Sequence, residues 1–369
     1  MSLKIGIVGC GKIADGHVEE IQKVPELARV VGVCDREPIM AEQIAMRYGL
    51  DYHTNDVERL LAERKPDVLH ITTPPGSHLP LAKLAIDAGC HVYVEKPMTL
   101  SLADTKALVA YAEKAKKKLT IGYTYLFDPP ALEMRDLIAG GALGDIVHVE
   151  SFYGYNLSGA YGSAILGDPS HWVLQLPGQL LHNNIDHLLN KTLEFLEDDE
   201  PRITAHGFVR RTQRFGDARD AMLDELRLLI HDRSGSGPTV YGTFSSHIRP
   251  AAHFARVYGS KNTAHVDYIA RTVTLESSGS LPSAIGRLVP AFEMAAKFAK
   301  AGARNVGKFA RSDFHFFSGL SYLIRAHYRS ILDDSPPPIS HRDIIRASAM
   351  LDSIFSQLKD AQSKAGGAR

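Results

Sequence analysis

Cysteine and tryptophan are scarce, at 3 and 1 residues. Three thiols cannot supply the framework of a disulfide-stapled domain. Cys10, Cys34 and Cys90 are not spaced as zinc ligands, and each falls in or beside an apolar strand pattern, so buried free thiols are expected. Net charge is also lacking, since 42 Lys+Arg balance 42 Asp+Glu. That removes the broad basic footprint of a nucleic-acid or anionic-membrane binder, and neither partner is expected. The one dense basic run, Lys116-Lys117-Lys118, follows a helical pattern and reads as a solvated helix end. No apolar run is long enough to span a bilayer. Met1-Ser2-Leu3-Lys4-Ile5 leads straight into a strand pattern, so no signal peptide is expected, and the location should be cytoplasmic and reducing. The 17 histidines include no H-E-x-x-H, and His182 and His187 suit one helical face poorly, so no metal site is expected.

What the chain does have is length and alternation. Its 369 residues exceed what one core usually serves, which predicts two domains, 1–123 and 124–369. Strand patterns at Lys4–Gly9, Val30–Asp35, Asp67–Thr73, His91–Glu95 and Leu119–Tyr123 alternate with helical patterns. Those helices are Lys12–Val24, Pro38–Tyr48, Asp56–Arg64, His78–Ala88 and Leu102–Lys116. Short apolar strands between amphipathic helices mean βαβ units and a parallel sheet covered on both faces. Further on, Val147–Tyr155, Ile203–Arg211, Leu226–His231, Val240–Ser246 and Ala255–Val273 hold strand-like stretches, most without a helix between them. Helices return at Leu288–Ala301, Phe314–Leu332 and His341–Lys359, with Pro336-Pro337-Pro338 parting the last two. The aromatics of Phe314–Phe317, with Leu320, Leu323 and Ile324, read as a core stripe, and the tail Ser363–Arg369 as frayed. The predicted class is α/β: an N-terminal Rossmann doubly wound parallel sheet, plus a C-terminal α+β domain with a large, mostly antiparallel open sheet.

Gly9-Cys10-Gly11-Lys12-Ile13-Ala14 is a G-x-G-x-x-A segment between the first strand and the first helix. Gly9 permits the tight turn, Gly11 leaves room for a pyrophosphate, and Ala14 lets helix and strand pack closely. The N–H groups of the helix start then face the phosphates. Asp35 ends the second strand, where an acid can accept from the adenine-ribose hydroxyls and repel a 2′-phosphate. NAD is the expected cofactor, and the neighbouring Arg36 leaves NADP open. Lys96 follows the apolar strand His91–Val94, and an ammonium at that end of a parallel strand can stabilise a developing alkoxide.

These features resemble the glucose–fructose oxidoreductase, inositol dehydrogenase and rhizopine-catabolism group, the Gfo/Idh/MocA family. The resemblance rests on the G-x-G-x-x-A segment, on Thr72-Thr73-Pro74-Pro75-Gly76-Ser77-His78, and on Ala88-Gly89-Cys90-His91-Val92-Tyr93-Val94-Glu95-Lys96-Pro97. It covers about residues 3–125. It implies that Thr72, Thr73, Pro74 and His78 line the nicotinamide side and that Glu95 and Lys96 bracket the reactive centre. The family's second-domain D-x-G-x-H stretch falls on Pro177–His187, with His187 in the His place and Asn183 in the Asp place. Ile185 replaces the Gly, and Asn190 stands where an Asp often follows. A register shifted by one residue puts Asp186 in the His place instead. An Arg usual near Leu126 or Phe127 is absent.

The resemblance implies hydride transfer between the nicotinamide and a secondary alcohol or ketone carbon of a sugar, nucleotide sugar or cyclitol. Lys96 would polarise the hydroxyl, His187 would move its proton, and Asn183 would hold the imidazole or the substrate. A homo-oligomer, dimer or tetramer, is expected through the second-domain sheet. Two rivals stay open: a non-catalytic cofactor-binding sensor, and a lyase-like enzyme that recycles its own NAD.

Overall fold

The computed structural model describes residues 2–277, 283–311, 314–315 and 317–366. The chain divides into two compact units, residues 1–124 with 319–349, and residues 125–318 with 350–369.

The first unit is built on six parallel strands: β1 (Leu3–Val8), β2 (Ala28–Cys34), β3 (His53–Thr54), β4 (Val68–Ile71), β5 (His91–Val94) and β6 (Leu119–Ile121). Their spatial order is β3-β2-β1-β4-β5-β6. Helices α1 (Lys12–Gln22), α2 (Pro38–Tyr48), α3 (Val57–Arg64), α4 (His78–Asp87) and α5 (Leu102–Lys114) make the crossovers. The strands carry Ile, Val and Leu on both faces because helices cover both; Ile5, Ile7, Val68, Leu69, Ile71, Val92 and Val94 are all buried. The order reverses beside β1, between β2 and β4. In such sheets the crevice beyond the strand C-termini at that reversal is the ligand-binding place.

The second unit holds α6 (Pro129–Ala139), β7 (Ile146–Asn156), α7 (Ala160–Gly167), α8 (Gln179–Asn184), α9 (Asp186–Leu189) and β8 (Arg202–Phe208). It continues with β9 (Glu225–His231), β10 (Thr239–Ser245), β11 (His247–Gly259), β12 (Asn262–Asp267), β13 (Thr272–Ser277) and α10 (Ser283–Ala310). Seven strands form one sheet in the order β13-β12-β11-β7-β10-β9-β8. Only the β7–β10 pair is parallel, so the sheet is mostly antiparallel, as predicted. One face buries Val149, Val257, Val240 and Leu228. The other presents Tyr241, half exposed, and the stacked cross-strand pair Phe152–Phe254.

Three expectations change. The single stretch Ala255–Val273 is three antiparallel strands, folded at the turns that part β11 from β12 and β12 from β13. The helix expected at Leu288–Ala301 runs unbroken from Ser283 to Ala310 through Pro290. The third change is the domain boundary. Helix α11 (Ser318–Leu332) and the start of α12 (His341–Gly366) belong to the first unit, not to a continuous 124–369 domain. Physically, α11 buries Leu320, Leu323, Ile324, His327 and Tyr328, and the last two pack against His70 and Tyr93 of the parallel sheet. The stripe Leu320, Leu323 and Ile324 is core, as expected; Phe316, and the last residues of the tail, 367–369, lie outside the described residues. Among the described residues no helix is long and apolar enough to cross a membrane.

Candidate functional site

In the first unit the loops after β1, β2, β4 and β5 gather the expected cofactor residues. Gly9 has φ 97°, a conformation side chains rarely adopt. A Cβ there would lie 2.7 Å from both the Thr73 Cγ2 and backbone nitrogen. At Gly11 a Cβ would meet nothing within 4 Å, so the space beside the start of α1 is open. Gly11 is the N-cap of α1 and offers no side-chain bond to the first turn. The N–H groups there are left for an anion, with the helix dipole behind them. Lys12 is exposed and Ile13 half-buried at this opening.

Asp35 closes the loop from the side. Its Oδ2 accepts from the Cys10 N–H at 2.6 Å and its Oδ1 from the Glu37 N–H at 2.9 Å. The carboxylate is half-buried and bound to the glycine turn itself. Arg36 is 91% exposed and pairs with Glu37 at 3.6 Å.

Four of the expected cofactor residues also hold the loops together. Cys10 is buried, with its thiol 3.6 Å from the Cys34 carbonyl. Burial and the Asp35 charge push that thiol up to about 12, so it stays protonated. The Thr72 hydroxyl is buried and donates toward the carbonyls of Val8 and Gly9. His78 is 1% exposed; its Nε2 faces the Thr73 carbonyl at 2.8 Å and its Nδ1 the Pro97 carbonyl at 3.0 Å. It therefore pins the β4 loop to the β5 loop. Thr73, half-buried, accepts from the Ser77 hydroxyl at 2.7 Å, and Pro74 is exposed.

Glu95 and Lys96 follow β5, both half-buried. The Lys96 N–H donates to Glu95 Oε2 at 3.3 Å. Gly122, at the end of β6, makes room for that carboxylate, because a Cβ there would sit 2.7 Å from Glu95 Oε1. Glu95 Oε1 also lies 3.1 Å from His17 Nε2. His17 went unnoticed in the sequence because it occupies a core position of α1, where a histidine gives no local sign of its partner.

The second unit carries the other expected group. Through Leu180–Asn190 every side chain is buried except His187, which is half-buried. Asp186, the alternative in the shifted register, is 0% exposed. Edge-to-face rings surround His187: Tyr125 at 5.0 Å and Tyr153 at 5.3 Å. Burial pushes the Tyr125 hydroxyl up to about 12. Asn183 Nδ2 donates to the Tyr161 hydroxyl at 2.7 Å, and Tyr161 is 49% exposed. Sequence reasoning missed these tyrosines, which come from β7, α7 and the segment before α6. It also missed His253, opposite Tyr153 on β11, and the buried Lys191, whose ammonium lies 4.9 Å from the Tyr268 ring centre. Burial drives both of those groups well toward their neutral forms.

Comparisons with known proteins accord with this geometry. Residues 3–123 match the family model described as an oxidoreductase family with an NAD-binding Rossmann fold, GFO_IDH_MocA. An inositol 2-dehydrogenase of Rhizobium meliloti is 26% identical over 235 residues, 64% of this chain and 67% of that protein. The uncharacterized oxidoreductase YrbE of Bacillus subtilis is 28% identical over 139 residues, 38% of this chain. The match spans only 40% of that relative's length. Among solved structures, the WlbA dehydrogenase of Bordetella pertussis, in complex with NADH and UDP-GlcNAcA, has a TM-score of 0.77. It is 20% identical, with 98% of this chain and 96% of that one covered, a likeness of fold.

Proposed function

We propose that this chain, whose residues 3–123 match the Gfo/Idh/MocA family model, is an NAD-dependent dehydrogenase of a sugar-like polyol. The observation that carries the reading is the glycine turn after β1. It combines a left-handed Gly9, open space at Gly11, uncapped N–H groups on α1 and the Asp35 carboxylate locked beside them. Those residues fit a dinucleotide: α1 would take the pyrophosphate and Asp35 the ribose hydroxyls. When bound, NAD supplies the hydride acceptor or donor.

The chain's own groups do the rest. Lys96 would donate to the substrate oxygen and hold the charge that grows there as the hydroxyl loses its proton. His187 would take that proton at a ring nitrogen and return it in the reverse direction. The tyrosines beside His187 offer flat apolar faces with polar rims, which suit a ring carrying many hydroxyls. The inositol, glucoside and UDP-sugar names among the relatives point to the same substrate class.

Titration with both cofactors tests the reading. NAD(H) should bind more tightly than NADP(H), because a 2′-phosphate would meet the Asp35 carboxylate. Asp35→Ala should weaken NAD(H) by about tenfold, roughly the 1.4 kcal/mol of a charge-assisted hydrogen bond, and narrow the gap. Equal or tighter binding of NADP(H) by the unaltered chain would make Arg36 the determinant.

A homo-oligomer through the open face of the second sheet is also proposed. That face carries Tyr241 and Phe152, with Phe254 beside Met294 and Phe298 of α10, and α10 leaves Leu288, Phe292, Val306 and Phe309 more than 60% exposed. Exposed apolar surface on this scale usually marks an interface. Sedimentation at micromolar concentration should give a dimer or tetramer; a monomer refutes the interface.

A further inference from the structure

Behind Glu95 lies a row of buried polar groups to which the proposed reaction gives no task. His17 on α1, His70 on β4 and Tyr328 on α11 are each 0% exposed, and all belong to the first unit. His17 Nε2 lies 3.1 Å from Glu95 Oε1, and His17 Nδ1 lies 2.8 Å from His70 Nδ1. His70 Nε2 lies 2.8 Å from the Tyr328 hydroxyl. The His70 ring stacks flat on Tyr93 at 4.6 Å, which fixes its plane.

Counting donors places every proton in this row. The Tyr328 hydroxyl has one hydrogen-bond partner among the described residues, His70 Nε2. A buried hydroxyl spends its hydrogen on the acceptor within reach, so Tyr328 donates and His70 Nε2 accepts. Burial and the neighbouring His17 and His327 hold His70 neutral, so its single proton sits on Nδ1 and is donated to His17 Nδ1. His17 Nδ1 is then an acceptor, which leaves its proton on Nε2, aimed at Glu95 Oε1. The other carboxyl oxygen accepts from the Lys96 N–H. Both oxygens of Glu95 are therefore acceptors, the state of an ionised carboxylate.

We propose that Tyr328, His70 and His17 are positioning residues, a one-way donor chain that locks both imidazoles neutral in single tautomers and holds Glu95 as a fixed carboxylate acceptor beside Lys96. Two N–H groups cannot face each other at 2.8 Å, so with His70 donating, His17 Nδ1 is the acceptor. The negative charge next to Lys96 is thereby left undiluted by an imidazolium. Among the described residues the titratable groups around the row include Tyr93, His327, His78 beside Glu95 and, on the same helix as His17, Glu20. Tyr93 and His327 are held neutral by burial, and Glu20 is paired with Lys23. The consequence for Lys96 rests on its proposed role; the donor chain itself does not.

The test is the nitrogen spectrum of the full chain labelled with 15N-histidine. His17 should appear as the Nε2–H tautomer and His70 as the Nδ1–H tautomer. Tyr328→Phe removes one oxygen and should free His70 to change tautomer. The His17 signals should then depart from the single Nε2–H form as well. An imidazolium at His17 near pH 7, an Nε2–H tautomer at His70, or a Tyr328→Phe spectrum identical to the original overturns the proposal. Should the variant not fold, the tautomers of the unaltered chain decide alone. Failure to bind NAD(H) would sink the cofactor reading and leave the tautomer readout intact.

Discussion

Lys96→Ala is expected to abolish oxidation of every polyol the unaltered chain accepts while leaving NAD(H) affinity within about tenfold, or roughly 1.4 kcal/mol. The lysine stands half-buried at the end of β5, one residue from a carboxylate whose position is fixed by Gly122 and His17. An ammonium held there acts on charge that develops during the chemical step, so the loss should fall on that step and not on ground-state binding. A panel of cyclitols, hexoses and nucleotide sugars, with cofactor titration in parallel, gives both readings. Collapse of NAD(H) binding with residual chemistry would make Lys96 a cofactor ligand.

His187→Ala should lower turnover by about 10²–10⁴-fold, the usual worth of a positioned general base. The second unit exposes no other side chain between Leu180 and Asn190, and Asp186 is sealed from solvent. Asp186→Asn should therefore act through folding, if at all, and show as a lowered melting temperature instead of a changed rate. Normal turnover in His187→Ala would move the proton acceptor elsewhere, with Tyr161, whose hydroxyl Asn183 holds, to be tested next.

The parallel sheet was legible because its information is local. Runs such as Ile5–Gly9 and Val92–Val94 are apolar along their whole length, and each is followed within a few residues by glycine, proline or a capping residue. The G-x-G-x-x-A turn and Asp35 were legible for the same reason. Helix α11 reads as a helix from its own periodicity, yet nothing local says that Tyr328 meets His70 across the sequence. The resemblance places His78 on the nicotinamide side, yet its burial depends on Pro97 and Met98 from another loop, which nothing local in the sequence announces. The α7 stretch, Ala-Tyr-Gly-Ser-Ala-Ile-Leu-Gly, has small residues and no clear polar face, so its helix gave no periodic sign. The Asn183–Tyr161 bond was hidden with it.

The first unit leaves the chain at residue 124 and resumes at 319, and this has a bearing on how the protein is made. On the ribosome the N-terminal sheet emerges long before α11 does, with the face that holds His70 and Tyr93 still open. Buried polar groups cannot stay uncovered without water, so that face must remain solvated or shielded until the later helix arrives. Synthesis stalled anywhere in 125–318 would release a half-lidded nucleotide fold, a natural target for chaperones and proteases. The segment matching the family model, 3–123, thus lacks the helix that packs on His70 and Tyr93.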